Sequence, residues 1–224
     1  MQVSDVGKTI ATRAPEMGGG VMRQIVELAI YGWGAIPSAK VAAAAALQKR
    51  GDAEEAIDSL ITAHVSMAGA QGLVTNLGGI LTLPVALPVN MAAAATVQVR
   101  LVATIAHLRG YNIEDSRVRS ALTMCLLGAD EVDKRVASGI LPGRPFLIAT
   151  APVWDPGLDR VISEHTFGDV AGKVGSKHLA VLFAKRVPLL GGGVGAAVDA
   201  WNTWVIGAYA REEFLSRRPG LIQP

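Results

Sequence analysis

From Ser59 to Val99 the chain carries no Asp, Glu, Lys or Arg, and the stretch contains the apolar run GLVTNLGGILTLPVALPVNMAAAA. Apolar sequence of that length has to be hidden from water, in a core, at an interface or against lipid. A second such segment, Val187 to Ala210, holds one charge, Asp199. The two lie far apart in the chain, so the fold must cover both. With 224 residues, half of them apolar, roughly 70% of the unfolded surface can be buried without disulfides or metals. Only 5% of the residues are aromatic, which leaves Ala, Val, Leu, Ile and Gly to build the interior and favours closely packed helices. One domain is expected over residues 21–218, with an arm at 1–20 and a tail at 219–224.

Punctuation divides the chain into an all-α bundle of about seven to nine helices around a central apolar hairpin. Val21 to Gln48 reads as two helices jointed at Gly32, Gly34 and Pro37, because glycine is permissive and proline lacks an amide. Asp52 with Glu55 three residues on has capping-box spacing, and a helix from about Ala53 to Leu77 follows. Gly78-Gly79 ends it, and Thr82–Pro88 reads as a proline-bounded turn. The next helix runs from about Val89 to Leu108, where Gly110 supplies a stop. Helices are then expected from Glu114–Arg119 onward, around Asp130–Ala137, and near 157–167, 170–187 and 190–216. Residues 139–156, with four prolines, read as an irregular connection that has room for short strands. Asp155 before Pro156 is a helix start.

Charge and motif content narrow the function classes. Residues 1–110 carry eight basic and seven acidic groups and residues 111–224 thirteen and twelve, so no basic footprint for nucleic acid exists. A lone cysteine, Cys125, rules out an intrachain disulfide and a multi-cysteine metal cluster. His64, His107, His165 and His178 show no HExxH or related spacing, and there is no G-x-S-x-G elbow. No metal and no cofactor is expected. Gly191, Gly193 and Ala196 satisfy G-x-G-x-x-A without the βαβ context that dinucleotide binding needs, and read as close helix packing. The first twenty residues include acids and lack an apolar core of signal-peptide length, so export by the general route is not expected.

Several side chains are candidates for contact with a ligand. Asp199, in its apolar helix, is either a satisfied polar core group or a carboxylate facing a ligand. Trp201 and Trp204 share one face beside it, in the core or at a membrane interface. His107 and His64 belong to opposing helices of the hairpin, where they either meet or sit as satisfied core histidines. Lys173, Lys177, Lys185 and Arg186 interleave with Val174, Leu179, Leu182 and Phe183, with no acid from Val170 to Val187. That pattern is either a solvated helix face or a basic amphipathic surface for anionic lipid.

The run GLVTNLGGILTLPVALPVNMAAAATVQVRLVATIAHLRGYNIED resembles the core signature of the EcsC family, in which a Gly-Gly turn and a leucine/proline block lead into an apolar helix and a tyrosine-containing turn. KRVPLLGGGVGAAVDAWNTWVIGAYAREEF is similar to the family's C-terminal Gly-rich helix, so the resemblance spans roughly residues 60–216. It implies a bacterial, membrane-linked setting, the founding member being associated with an ABC-transporter operon, and it implies no established reaction. An acidic residue is common in the family where this chain has Asn90. Asn90 therefore joins His107, Asp199, Trp201 and Trp204 as a contact candidate without a catalytic role.

The expectation drawn from all of this is a cytoplasmic helical module, peripheral at the inner face of the membrane, that binds lipid or a membrane surface. A soluble protein-interaction or homo-oligomeric assembly subunit is the alternative. An enzyme acting on an apolar substrate, with Asp199, His64 or His107 as its polar groups, is third.

Overall fold

Ser38, Asp52, Asp115 and Asp155 each stand just ahead of a helix, and each starts it by accepting amides that the first turn leaves unpaired. Ser38 Oγ takes the Val41 amide at 3.2 Å and Asp52 Oδ1 takes those of Glu54 and Glu55 at 2.7 and 3.0 Å. Asp115 Oδ1 takes that of Arg117 at 2.9 Å, and Asp155 Oδ1 that of Gly157 at 2.7 Å. The computed structural model describes residues 18–34, 36–77, 83–184 and 190–217, and of these the backbone alone at 71–91, 93 and 173–195.

Nine helices are found among the described residues: α1 (18–31), α2 (Ala39–Arg50), α3 (Ala53–Leu77), α4 (Leu83–Leu108), α5 (Ser116–Cys125), α6 (Ala129–Ala137), α7 (Pro145–Ala149), α8 (Pro156–Ala184) and α9 (Leu190–Glu213). The expected all-α bundle is the observed one. No strand occurs among the described residues; one isolated bridge pairs Trp33 with Ile36 in the joint between α1 and α2. The proline-rich connection contains α7, five residues long with Pro145 at its first position.

Two boundaries differ from the sequence reading. Residues 83–88 are helical rather than a turn, because Pro84 falls in the first turn of α4, where its missing amide would have had no partner. The segments near 157–167 and 170–187 are one helix, α8, which runs straight through Gly168. Glycine lowers helix propensity by about 1 kcal/mol, less than the packing of Ile162, Thr166 and Val170 on the core returns. Gly78-Gly79 lies outside the described residues.

Helix α4 is the centre. From Ala95 to Leu108 every residue is buried except the half-buried Thr96, Val97 and His107, as expected of a helix with apolar groups all round. The end of the longest uncharged run, Ala95 to Val99, is thus bundle core, while its α3 part divides between buried residues such as Leu60, Ile61 and Ala68 and exposed ones such as Thr62, Ser66 and Met67. The end of α4 is a Schellman motif: Gly110 turns at φ +88, the Tyr111 amide bonds Ala106 O and the Gly110 amide bonds His107 O, both at 3.0 Å. Tyr111 then packs edge-to-face on Phe214 at 5.0 Å, with the Arg217 guanidinium over its ring.

Helix α9 lies antiparallel along α3. Gly69 faces Ala196 and Ala200, Gly207 faces Ile61 and Leu101, and Arg211 reaches Glu54 and Asp58. Small residues let the backbones approach closely enough for this seam to close. At the charged end Glu54 receives Arg109 at 2.7 Å and Arg211 at 2.9 Å, joining α3, α4 and α9. The opposite end holds the last turn of α3, the start of α4, the end of α8 and the start of α9. Both apolar runs therefore converge there, a consequence of helix direction.

Candidate functional site

The α3–α9 seam presents an outer face that the core does not cover. Helix α9 turns about 100° per residue, so Gly207 and Thr203 look into the bundle while Trp201, Trp204 and Ala208 look out. Trp201 is 65% exposed and Trp204 47%, and their indoles stack at 5.1 Å with 29° between the planes. Val198 on the same helix and Met67 on α3 are also exposed. The pair is a surface feature rather than core.

Below the indoles a groove of about 570 Å³ runs between the two helices. Its lining changes along its length. Trp204, Val65 and Ile61 make the part nearer the apolar end of the bundle, and Arg211, Asp58 and Glu212 close the other part. Arg211 gives Nη1–H to Asp58 Oδ1 at 2.6 Å and both Nε–H and Nη2–H to Glu54 Oε2 at 3.1 and 2.9 Å. The guanidinium is therefore held in place while its flank faces the groove. With a rise of about 1.5 Å per residue, Trp201 stands about 16 Å and Arg211 about 31 Å along α9 from Leu190.

The structure does not gather the sequence-derived candidates into one site. Asp199 is half-buried, is engaged by a neighbour, and lies on the far side of α9 from the indoles. His107 is half-buried in the last turn of α4 and also has a partner. The Glu114 carboxyl is held below its ordinary range chiefly by the Lys40 ammonium at 2.8 Å, with His107 a minor contributor. Asn90 belongs to α4 and Lys173 and Lys177 to α8, and the side chains of all three, with Lys185 and Arg186 entirely, lie outside the described residues.

His64 does not face His107 across the hairpin. It sits at the level of Arg100, buried, with Nδ1 2.8 Å from the Leu60 carbonyl and, among the described residues, no partner for Nε2. Burial lowers its pKa most, Arg100 lowers it further, and the Leu60 carbonyl opposes both. Arg100 itself is mostly buried and donates to the Pro37 carbonyl, tying the α1–α2 joint to the core.

Asp58, Ile61, Val65, Arg211 and Glu212 were not among the sequence candidates. A signal existed, since Trp204, Ala208, Arg211 and Glu212 fall at helical spacing on one face. What the sequence lacked was the partner helix, 150 residues away in the chain.

Two other polar clusters have structural explanations. A hollow of about 130 Å³ among α1, α5 and α8 is lined by Arg23, Glu27, Arg119 and Asp159, which pair with one another. Near the end of α9, buried Glu213 accepts the Phe146 amide at 3.1 Å and so fastens α7 to the bundle. Burial and the Glu213 charge push the Cys125 thiol well above its ordinary pKa, so it is no nucleophile. Among the described residues no group of three or more His, Cys, Asp or Glu is placed to hold a metal, and no helix is long and apolar enough to cross a membrane.

The family model of the EcsC protein family matches residues 22–218, from the middle of α1 to beyond α9. No curated protein and no solved structure matches the chain.

Proposed function

The chain belongs to the EcsC protein family, and we propose from that membership and from its exposed indole pair that it is a peripheral module binding a membrane surface through lipid. The carrying observation is the stacked, solvent-facing Trp201–Trp204 pair on α9. Two large amphipathic rings left on a surface are costly in water and favourable at the headgroup layer.

Their position supports this use. The antiparallel α3 and α9 bring the uncharged run ending α3 and starting α4 to the same end as the acid-free run of α8 that carries Lys173 and Lys177. An apolar end with basic residues nearby and tryptophans about 16–21 Å along the helix has the layering of an interfacial protein. In this reading the protein acts at the cytoplasmic, inner face of the membrane without spanning it, and performs no chemistry of its own.

Co-sedimentation with vesicles of phosphatidylcholine, with and without phosphatidylglycerol, tests the proposal. The full chain is expected to pellet with the vesicles, more strongly with the anionic lipid. Trp201→Ala with Trp204→Ala is expected to lower the bound fraction several-fold while leaving the thermal melt unchanged, as both rings are exposed. A chain that stays in the supernatant with every vesicle would sink the proposal and favour an assembly subunit.

A further inference from the structure

The groove beside the indoles has a polarity that the membrane reading alone does not use. Its inner part is mostly apolar, from Trp204, Val65, Ile61 and Ala208, with the Thr62 and Ser66 hydroxyls there donating to carbonyls of their own helix, and its outer part is charged, from Arg211, Asp58 and Glu212. The order along the groove follows that of the whole bundle, with apolar sequence at one end and the Glu54–Arg109–Arg211 clasp at the other. A phospholipid monomer has the same order, acyl chains first and headgroup last.

The charges select among headgroups. The Arg211 guanidinium is clasped by Asp58 and by Glu54, which Arg109 also neutralises, and Glu212 lines the groove beside it, so the outer part carries both signs and a small negative excess. A phosphodiester alone meets Arg211 but also the repulsion of Asp58 and Glu212. A phosphodiester with an ammonium beside it satisfies both, the phosphate accepting charge-assisted hydrogen bonds from Arg211 and the ammonium held by Coulomb attraction to the carboxylates, which a quaternary ammonium without N–H donors also meets. The contacts of Arg211 with Glu54 and Asp58 engage three of its five N–H donors, which leaves donors for an anion without breaking the clasp. At about 570 Å³ the groove is in the size range of small-molecule sites.

We propose that the α3–α9 groove binds one phospholipid with a zwitterionic headgroup, the phosphate at Arg211, the ammonium at Asp58 and Glu212, and the chains along Ile61, Val65 and Trp204. This rests on the membrane reading and adds a stoichiometric, headgroup-selective site to it. The basic segment at the apolar end then answers to the bulk charge of the membrane, and the groove to one molecule within it.

The test uses the full chain and short-chain lipid below its micellar concentration. Dihexanoylphosphatidylcholine and dihexanoylphosphatidylglycerol are titrated separately by calorimetry, and the same samples are sedimented with vesicles. Saturable binding of one phosphatidylcholine per chain is expected, about tenfold tighter than phosphatidylglycerol. Asp58→Asn with Glu212→Gln is expected to erase that preference. Ala208→Phe, which fills the groove without touching the clasp, is expected to weaken phosphatidylcholine at least about tenfold while vesicle binding persists. Equal affinity for the two headgroups overturns the assignment, as does unchanged binding by Ala208→Phe. No monomer binding by a chain that still pellets with vesicles overturns the groove and leaves the membrane reading standing; loss of both removes both.

Discussion

Gly207 is a point of close approach in the α3–α9–α4 seam, and replacing it tests whether that seam holds the molecule together. A Cβ built there would stand 3.1 Å from Ile61 Cγ1 and 3.1 Å from Leu101 Cδ2. A single carbon requires those side chains to yield by a few tenths of an ångström. A phenyl ring requires α9 to move away from α3 and α4, since Leu101 is fully buried and has nowhere to go. Overpacking costs about 1–3 kcal/mol, with a ring at the upper end. Removing a glycine from a helix interior returns about 0.5 kcal/mol when phenylalanine takes its place. The net is a loss of about 2.5 kcal/mol for Gly207→Phe. At about 2–4 °C per kcal/mol for a chain of this size, that is a fall in Tm of about 5–10 °C. Circular dichroism melts at neutral pH measure it, with Gly207→Ala expected near the wild type because its propensity gain offsets the smaller clash. A Gly207→Phe variant melting within about 2 °C of the wild type would refute the argument, since it would mean the seam has slack.

Gly168 and Gly172 are the opposite case, helical and with open space where a Cβ would go, so the double change to alanine should stabilise by about 1–2 kcal/mol and raise Tm by about 2–8 °C in the same melts. Asp155→Ala removes the acceptor for the Gly157 and Leu158 amides and should cost about 1 kcal/mol in urea denaturation, with no loss if α8 starts without it. His64 has a folded pKa below its ordinary 6.5, so the unfolded chain binds the extra proton first; stability is full above about pH 6.5 and declines as the pH falls below it. His64→Leu should flatten that slope between pH 7 and 5 in urea midpoints, and parallel slopes for the two proteins would exclude His64 as its source. Cys125 is buried with a raised pKa, so a thiol-reactive disulfide reagent should label it only in denaturant, and prompt labelling of the native chain would contradict its placement.

Membership in the EcsC family, the all-α class and the helix starts were legible because they are written locally. Asp155-Pro156, Asp52 and Gly110 act on amides and carbonyls within a turn of themselves, and their chemistry is the same in any fold. Pro84 misled for a related reason: proline marks either a break or a first turn, and which one depends on where the helix begins; Pro88 lies past the first turn, within α4. Gly168 misled because its local cost is small beside packing supplied from distant residues.

The sequence by itself determined that two uncharged runs had to be covered, and helical spacing determined which residues share a face. Tertiary structure alone decided which face is covered and by what. The C-terminal half of α4 became core because helices pack on it from all sides. Trp201 and Trp204, equally apolar by composition, stayed at the surface because α3 takes the adjacent face of α9 and no other described helix takes theirs. The groove exists only because Arg211 meets Asp58 across 153 positions of chain. Residues at such separation carry no local sign of one another, and burial belongs to pairs of surfaces rather than to residues.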